Sequence, residues 1–179
     1  SMQVWDNADS PQDAARARMN GAQGIGLCRT EHMFFDTERL KHVQRLLETG
    51  PESSKIQHNI DKIRIQLESS PASQKDALSK RLIAAEDALA KSEEAKVFHT
   101  ELKELERFQT SDFREILKTM EGYPVVIRLL DAPLHEFLPR YEDLIAELSQ
   151  ISTSESKEFL EEKQKTFDLV DHLRESNPM

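Results

Sequence analysis

The sequence predicts an α/β fold: a small parallel sheet joined to a long helical arm. Two stretches predict the sheet. Gly24-Ile25-Gly26-Leu27-Cys28 is an apolar run that passes into Arg29, Thr30, Glu31 and His32. Val125-Val126-Ile127-Arg128-Leu129-Leu130 shows the same grammar before Asp131. Buried parallel strands that deliver chemistry at their carboxyl ends read this way. A third stretch predicts the arm. Ile56, Ile60, Ile63 and Leu67 keep the alternating spacing of a coiled-coil seam.

Taken in order, the chain opens with a predicted strand at Gln3-Val4-Trp5, which Asp6 to Pro11 break. Asp9 or Ser10 can cap a helix with Pro11 in its first turn, running to about Met19. Asn20-Gly21 ends it, and the second strand follows. A strand-helix-strand unit with short links favours parallel pairing. After Phe35, Asp36 or Thr37 caps a helix to about Glu48, and Gly50-Pro51 interrupts it.

Ser69-Ser70-Pro71 turns the chain. Leu78, Leu82, Ala85 and Leu89 repeat the seam spacing; the phase then slips, and Ala95, Phe98, Leu102 and Leu105 resume it. A helix from Pro71 to Phe108 would span roughly 55 Å. Residues 51–108 therefore read as a long antiparallel helical hairpin. Thr110 or Ser111 caps a further helix that Gly122 stops, and the third strand runs from Val125 to Leu130. Helices at Tyr141 to Gln150 and Ser154 to Arg174 close the chain. The predicted division is 1–50 for two strand-helix units, 51–108 for the hairpin, and 109–179 for the third unit and its following helices. Three strands are too few for an open parallel sheet or an eight-stranded barrel. The reading is a piece of a larger domain with an unpaired sheet edge.

Composition narrows the function classes. The 179 residues carry a net charge of -9, with 37% hydrophobic and 32% charged residues. No dense Lys/Arg block exists to neutralise a nucleic-acid backbone, so a nucleic-acid partner is not expected. A single phosphate remains compatible, because a few convergent arginines can hold it against an acidic field. Cys28 is the one cysteine, which excludes an internal disulfide. No apolar run reaches membrane-spanning length and no signal pattern opens the chain. The expectation is an intracellular soluble protein, in cytoplasm or an organelle, with no membrane partner.

Arg29 and Arg128 sit at the same rim of one sheet, which suits a phosphate or carboxylate clamp. The competing reading pairs Arg29 with Glu31 and Arg128 with Asp131, as ties between strand ends. Glu31 and Asp131 could orient the arginines or touch a metal. His32 and His135 follow the two arginine-bearing ends, either as proton carriers or as hydrogen-bonded structural groups. Cys28 ends an apolar strand and reads as buried scaffold rather than nucleophile. No cluster of acids and histidines has the makings of a complete metal site. Gly24 and Gly26 open no helix, so they are packing glycines rather than a dinucleotide fingerprint.

At these residues a family becomes recognisable. Asn7-Ala8-Asp9, the run from Gly21 to Phe35, and Ile127-Arg128-Leu129-Leu130-Asp131-Ala132-Pro133-Leu134-His135-Glu136-Phe137 closely resemble the pyruvate, phosphate dikinase family of phosphoenolpyruvate (PEP)-utilising enzymes. PEP synthase and Enzyme I of the phosphotransferase system share the Gly-Ile-Gly-Leu-x-Arg-Thr-Glu core. His32-Met33-Phe34-Phe35 and Pro133-Leu134-His135-Glu136-Phe137 look like the dikinases instead.

The resemblance implies the first part of a PEP-binding (β/α)8 barrel, about three strands of eight, enlarged by the helical hairpin. It implies a transferase that interconverts ATP, phosphate and pyruvate with AMP, diphosphate and PEP. A phosphohistidine on a swivelling domain of the same chain would carry the phosphoryl group, with Mg²⁺ at the PEP site and a homodimer as the assembly. Arg29 and Arg128 match the family's substrate-binding arginines. The catalytic and metal-binding residues would lie outside this chain, leaving the fragment inactive by itself. Ala132 departs from the proline usual in the family. The alternative from another class is a non-catalytic interaction module built on the hairpin.

Overall fold

The structure, a computed structural model, describes residues 2–150 and 157–176. Three strands form one parallel sheet in the order β1-β2-β3, with β1 at Asp6–Asn7, β2 at Ile25–Arg29 and β3 at Val125–Arg128. Six α-helices are described: α1 Pro11–Met19, α2 Thr37–Ser69, α3 Ala72–Lys91, α4 Glu93–Thr119, α5 Tyr141–Gln150 and α6 Lys157–Ser176. The chain divides into two compact units, residues 1–44 with 104–179, and residues 45–103.

The first unit holds the sheet. Its first strand lies later than expected, at Asp6–Asn7, although pairing already begins where Gln23 N–H donates to the Val4 carbonyl at 2.8 Å. The residues that looked like strand breakers instead bond to β2, with Asp6 N–H on the Gly24 carbonyl and Ala8 N–H on the Leu27 carbonyl. Trp5 lies over Gly24 instead of extending the strand. A Cβ at Gly24 would stand 2.9 Å from the Trp5 ring, so only glycine lets the indole lie there.

Helix α1 begins as its sequence dictates. Ser10 Oγ accepts from Asp13 N–H at 3.1 Å and donates to the Asp13 carboxylate at 2.7 Å, with Pro11 in the first turn. Its inner face is Ala14 and Ala17, both buried, and such small side chains let the helix lie close to the sheet. Ile116 of α4 and Met120 just past its end join Ala8, Ala14, Ala17, Ala22, Ile25, Cys28 and Met33 in one core. Burying a side chain the size of Ile116 contributes about 2–3 kcal/mol relative to exposure.

The register between β2 and β3 shifts between Ile25 and Cys28. Residues three apart on a regular strand point to opposite faces. The irregularity lets Ile25 and Cys28 both enter the core, each fully buried. Arg29 then falls on the other face. There β3 leaves apolar surface open: Val126 is 48% exposed and Leu130 51%.

Two expected helix breaks do not occur. Helix α2 continues through Gly50-Pro51 to Ser69. A proline inside a helix costs about 3 kcal/mol, but α2 buries Val43 before it and Ser53, Ile60 and Ile63 after it. That burial offsets the lost bond. Likewise α4 runs unbroken through Thr110 and Ser111 to Thr119, so neither residue caps a new helix. The break falls elsewhere, at Ser92, whose ψ of 123° is extended. That is where the seam slips phase. Ser92 Oγ caps α4 by accepting from Ala95 N–H at 3.1 Å.

In the second unit, Ile60, Ile63 and Ala85 form a buried cluster with Ile56, Leu82 and Leu89 packed against it. The seam residues singled out in the sequence are the ones that meet. Arg64 reaches Glu86 at 2.8 Å beside them. The predicted start of the last helix at Ser154 lies outside the described residues. No described helix is long and apolar enough to cross a membrane.

Candidate functional site

The site assembles at the carboxyl end of the sheet. Arg29 is the last residue of β2 and Arg128 the last of β3, and the two are register partners. Register partners on neighbouring parallel strands project from the same face, so the two guanidinium groups leave the sheet side by side. Each side chain keeps access to solvent, 34% for Arg29 and 40% for Arg128.

Each arginine has a carboxylate, but not the one expected. Arg29 pairs with Asp9 instead of Glu31, and Arg128 pairs with Glu31 instead of Asp131. The acid therefore comes from the end of the preceding strand: Asp9 just past β1 serves β2, and Glu31 just past β2 serves β3.

Asp9 Oδ1 accepts from Arg29 N–H at 2.7 Å. Asp9 Oδ2 accepts from Arg29 Nε at 2.9 Å and from Nη2. His32 Nδ1 lies 3.1 Å from the same Oδ2. Burial raises the carboxyl's pKa, but the hydrogen bonds and charge of Arg29 outweigh it and hold Asp9 below its ordinary 3.8. Asp9 also raises the Arg29 pKa in return.

Glu31 is the more enclosed acid, 3% exposed. Its Oε1 accepts from Arg128 Nη2, while Oε2 has no hydrogen-bond partner among the described residues. Burial again raises this carboxyl, and its own backbone N–H and Arg128 bring it below the ordinary 4.5. The neighbouring Thr30 Oγ1 and Arg128 Nε are also buried without a partner among the described residues.

His32 stands at the site through Asp9 and packs its ring on Phe35 at 5.6 Å. Asp131 is exposed and enters no ion pair among the described residues. The His135 side chain lies outside the described residues; its backbone belongs to a 3-10 turn at Leu134–Phe137. Cys28 faces the core, and burial first, then the Asp9 and Asp112 charges, push its thiol from 9.0 up to about 11. Such a thiol is protonated at neutral pH and makes no nucleophile.

Behind the arginine pair, a cavity of about 450 Å³ is lined by Asp9, His32, Met33, Arg39, Phe108 and Asp112 among others. Arg39 bridges it by bonding Asp112 and the Met33 carbonyl. Among the described residues, no three acids, histidines or cysteines gather as a metal site. The acids nearest the arginines, Asp9 and Glu31, are already engaged by them. The described residues therefore do not by themselves make up the Mg²⁺ site that the resemblance implies.

A pair of arginines at parallel strand ends has the chemistry to hold an anion, and comparison with known proteins gives the pair a context. The family model for the PEP-utilising enzyme, PEP-binding domain, matches residues 1–179. The chain belongs to this family. Pyruvate, phosphate dikinase of Rhizobium meliloti (strain 1021) is 36% identical over 178 residues, 99% of this chain. Pyruvate, phosphate dikinase 1, chloroplastic, of Arabidopsis thaliana is 36% identical over 180 residues, and pyruvate, phosphate dikinase of Entamoeba histolytica is 38% identical over 176. The chain spans 14% of the length of the first two relatives and 15% of the third.

Asp9 is the partner of Arg29 that reading strand ends one at a time misses. Its signal was present, since Asn7-Ala8-Asp9 belongs to the PEP-binding-domain resemblance, but spacing assigns an arginine to the nearest acid on its own strand.

Proposed function

We propose that this chain is the PEP- and pyruvate-binding part of a pyruvate, phosphate dikinase, with Arg29 and Arg128 as the anion clamp. The observation that carries the reading is their register pairing at the carboxyl ends of adjacent parallel strands, within a chain of this family. Phosphoryl transfer depends on positioning and on charge neutralisation. Two guanidinium forks side by side can hold the phosphate of PEP, and the carboxylate or the enolate oxygen that pyruvate presents after transfer. Asp9 and Glu31 hold them, and the reading gives His32, Asp131 and His135 supporting roles.

On this reading the sheet is the first part of a (β/α)8 barrel, and the open face of β3 is the barrel interior awaiting further strands. Residues 51–108 form an antiparallel hairpin inserted between the second and third strands. The complete enzyme binds ATP, receives the phosphoryl group from a phosphohistidine on a swivelling domain of the same chain, uses Mg²⁺ held by residues outside this chain, and works as a homodimer in cytoplasm or an organelle. The 179 residues alone have no dikinase activity.

The test is PEP affinity of the full-length protein, wild type against Arg29→Ala and Arg128→Ala. A lost charge-assisted hydrogen bond costs about 1.5–3 kcal/mol, so each variant should bind about 10- to 100-fold more weakly. Unchanged affinity in both removes the clamp.

A further inference from the structure

We propose that Asp9 is the positioning residue of the anion site, orienting Arg29 so that one edge of its guanidinium faces the ligand. The inference rests on Arg29 being an anion ligand, as proposed above. Asp9 is not adjacent to Arg29 in sequence; it comes from the link between β1 and α1. One carboxylate holds both the main chain of Arg29, through the N–H at 2.7 Å, and its side chain, through Nε at 2.9 Å and Nη2. His32 Nδ1, 3.1 Å from Oδ2, braces the same carboxylate from a third direction. The Asp9 side chain is only 12% exposed, so water competes little for these bonds.

A guanidinium has two edges that can each grip an anion bidentately. Asp9 occupies the Nε–Nη2 edge. The Nη1–Nη2 edge is left, on a side chain that is one-third exposed. Arginine rotamer freedom is expensive to freeze on binding, and here the protein has frozen it beforehand, which favours affinity. Arg128 lacks this arrangement: Glu31 holds it through Nη2, and its Nε has no partner among the described residues.

The direction of the effect separates positioning from simple electrostatics. Asp9 cancels much of the local positive charge of Arg29. If charge alone governed the site, Asp9→Ala would bind PEP more tightly. A positioned arginine predicts weaker binding, by about tenfold, because one charged hydrogen-bond pair no longer forms in a fixed geometry.

The experiment is a double-mutant cycle on PEP dissociation constants in the full-length protein, using Asp9→Ala, Arg29→Ala and the pair. The expected result is a loss of about tenfold for Asp9→Ala that vanishes in the Arg29→Ala background. Equal or tighter binding by Asp9→Ala overturns the proposal. So does the same loss in both backgrounds, which marks a fold-wide effect. A second measurement does not need PEP. Arginine ¹⁵N spectra of the full-length protein should show hindered rotation of the Arg29 guanidinium, its signal assigned by its loss in Arg29→Ala and its rotation released in Asp9→Asn. Free rotation in the wild type overturns the proposal. If Arg29→Ala leaves PEP affinity unchanged, the clamp assignment of Arg29 falls instead, and the spectra still decide what Asp9 does.

Discussion

Arg29 and Arg128 are the same residue type, end neighbouring strands, and sit opposite one another in register, yet they are held differently. Asp9 accepts the Arg29 main-chain N–H as well as its side chain, and His32 reaches the same oxygen. Glu31 is nearly sealed from solvent and depends on Arg128 as its one ionic partner among the described residues. The first arrangement is redundant and the second is not. On the proposed reading, redundancy leaves Arg29 free to be a ligand, whereas Arg128 must also keep a buried charge compensated.

That asymmetry is breakable by mutation. Arg128→Ala strands the Glu31 carboxylate in a site 3% exposed, and removing one partner of a buried pair is costly. A loss of about 3 kcal/mol in urea unfolding is expected, with Arg29→Ala losing only about 1 kcal/mol because Asp9 keeps the backbone N–H. Adding Glu31→Gln to Arg128→Ala should recover part of the loss. Equal losses for the two single variants would erase the distinction between the arginines.

Acid sharpens the same comparison. Both carboxyls are depressed in the folded chain, below 3.8 for Asp9 and below 4.5 for Glu31. Their stabilisation is thus complete above those ordinary values and disappears as pH falls through the lowered folded ones. Stability measured from pH 6 downward should drop in the wild type. The Glu31 part of that drop should vanish in Arg128→Ala, while Arg29→Ala keeps part of the Asp9 contribution. A pH profile unchanged by Arg128→Ala would show that Glu31 does not owe its ionisation to that partner.

The smallest effect lies on the helical arm. Lys80 and Asp76 approach to 2.8 Å but are 75% and 80% exposed. Lys80→Ala should change stability by less than about 0.5 kcal/mol. A larger change would mean that distance, rather than burial, ranks the ion pairs of this protein.

Local chemistry was legible in the sequence wherever a few neighbouring residues decide the outcome. Ser10-Pro11 starts α1, Gly122 with its φ of +85° follows the end of α4, and the two arginines mark the strand ends. The seam residues Ile60, Ile63 and Ala85 pack as their spacing requires. Outcomes set by distant packing were not legible. Pro51 reads as a break, yet burial on either side of it keeps α2 whole. Asp6 and Asn7 read as breakers, yet β2 recruits them as strand. The two arginines end their strands as read, but their carboxylate partners are not the ones the competing reading gave them. The correct acids lie 20 and 97 residues away from them, at a distance no local spacing reports.

Holding each arginine by an acid from the strand before it also polices alignment. If β3 slid by one residue against β2, Arg128 would leave the reach of Glu31, its side chain would turn to the opposite face, and a sealed carboxylate would lose its counter-charge. A slip of β2 against β1 would do the same to Asp9 and Arg29. Short parallel strands carry few ladder bonds with which to reject a wrong alignment. In this sheet the ion pairs act as checksums, each strand being verified by the one laid down before it.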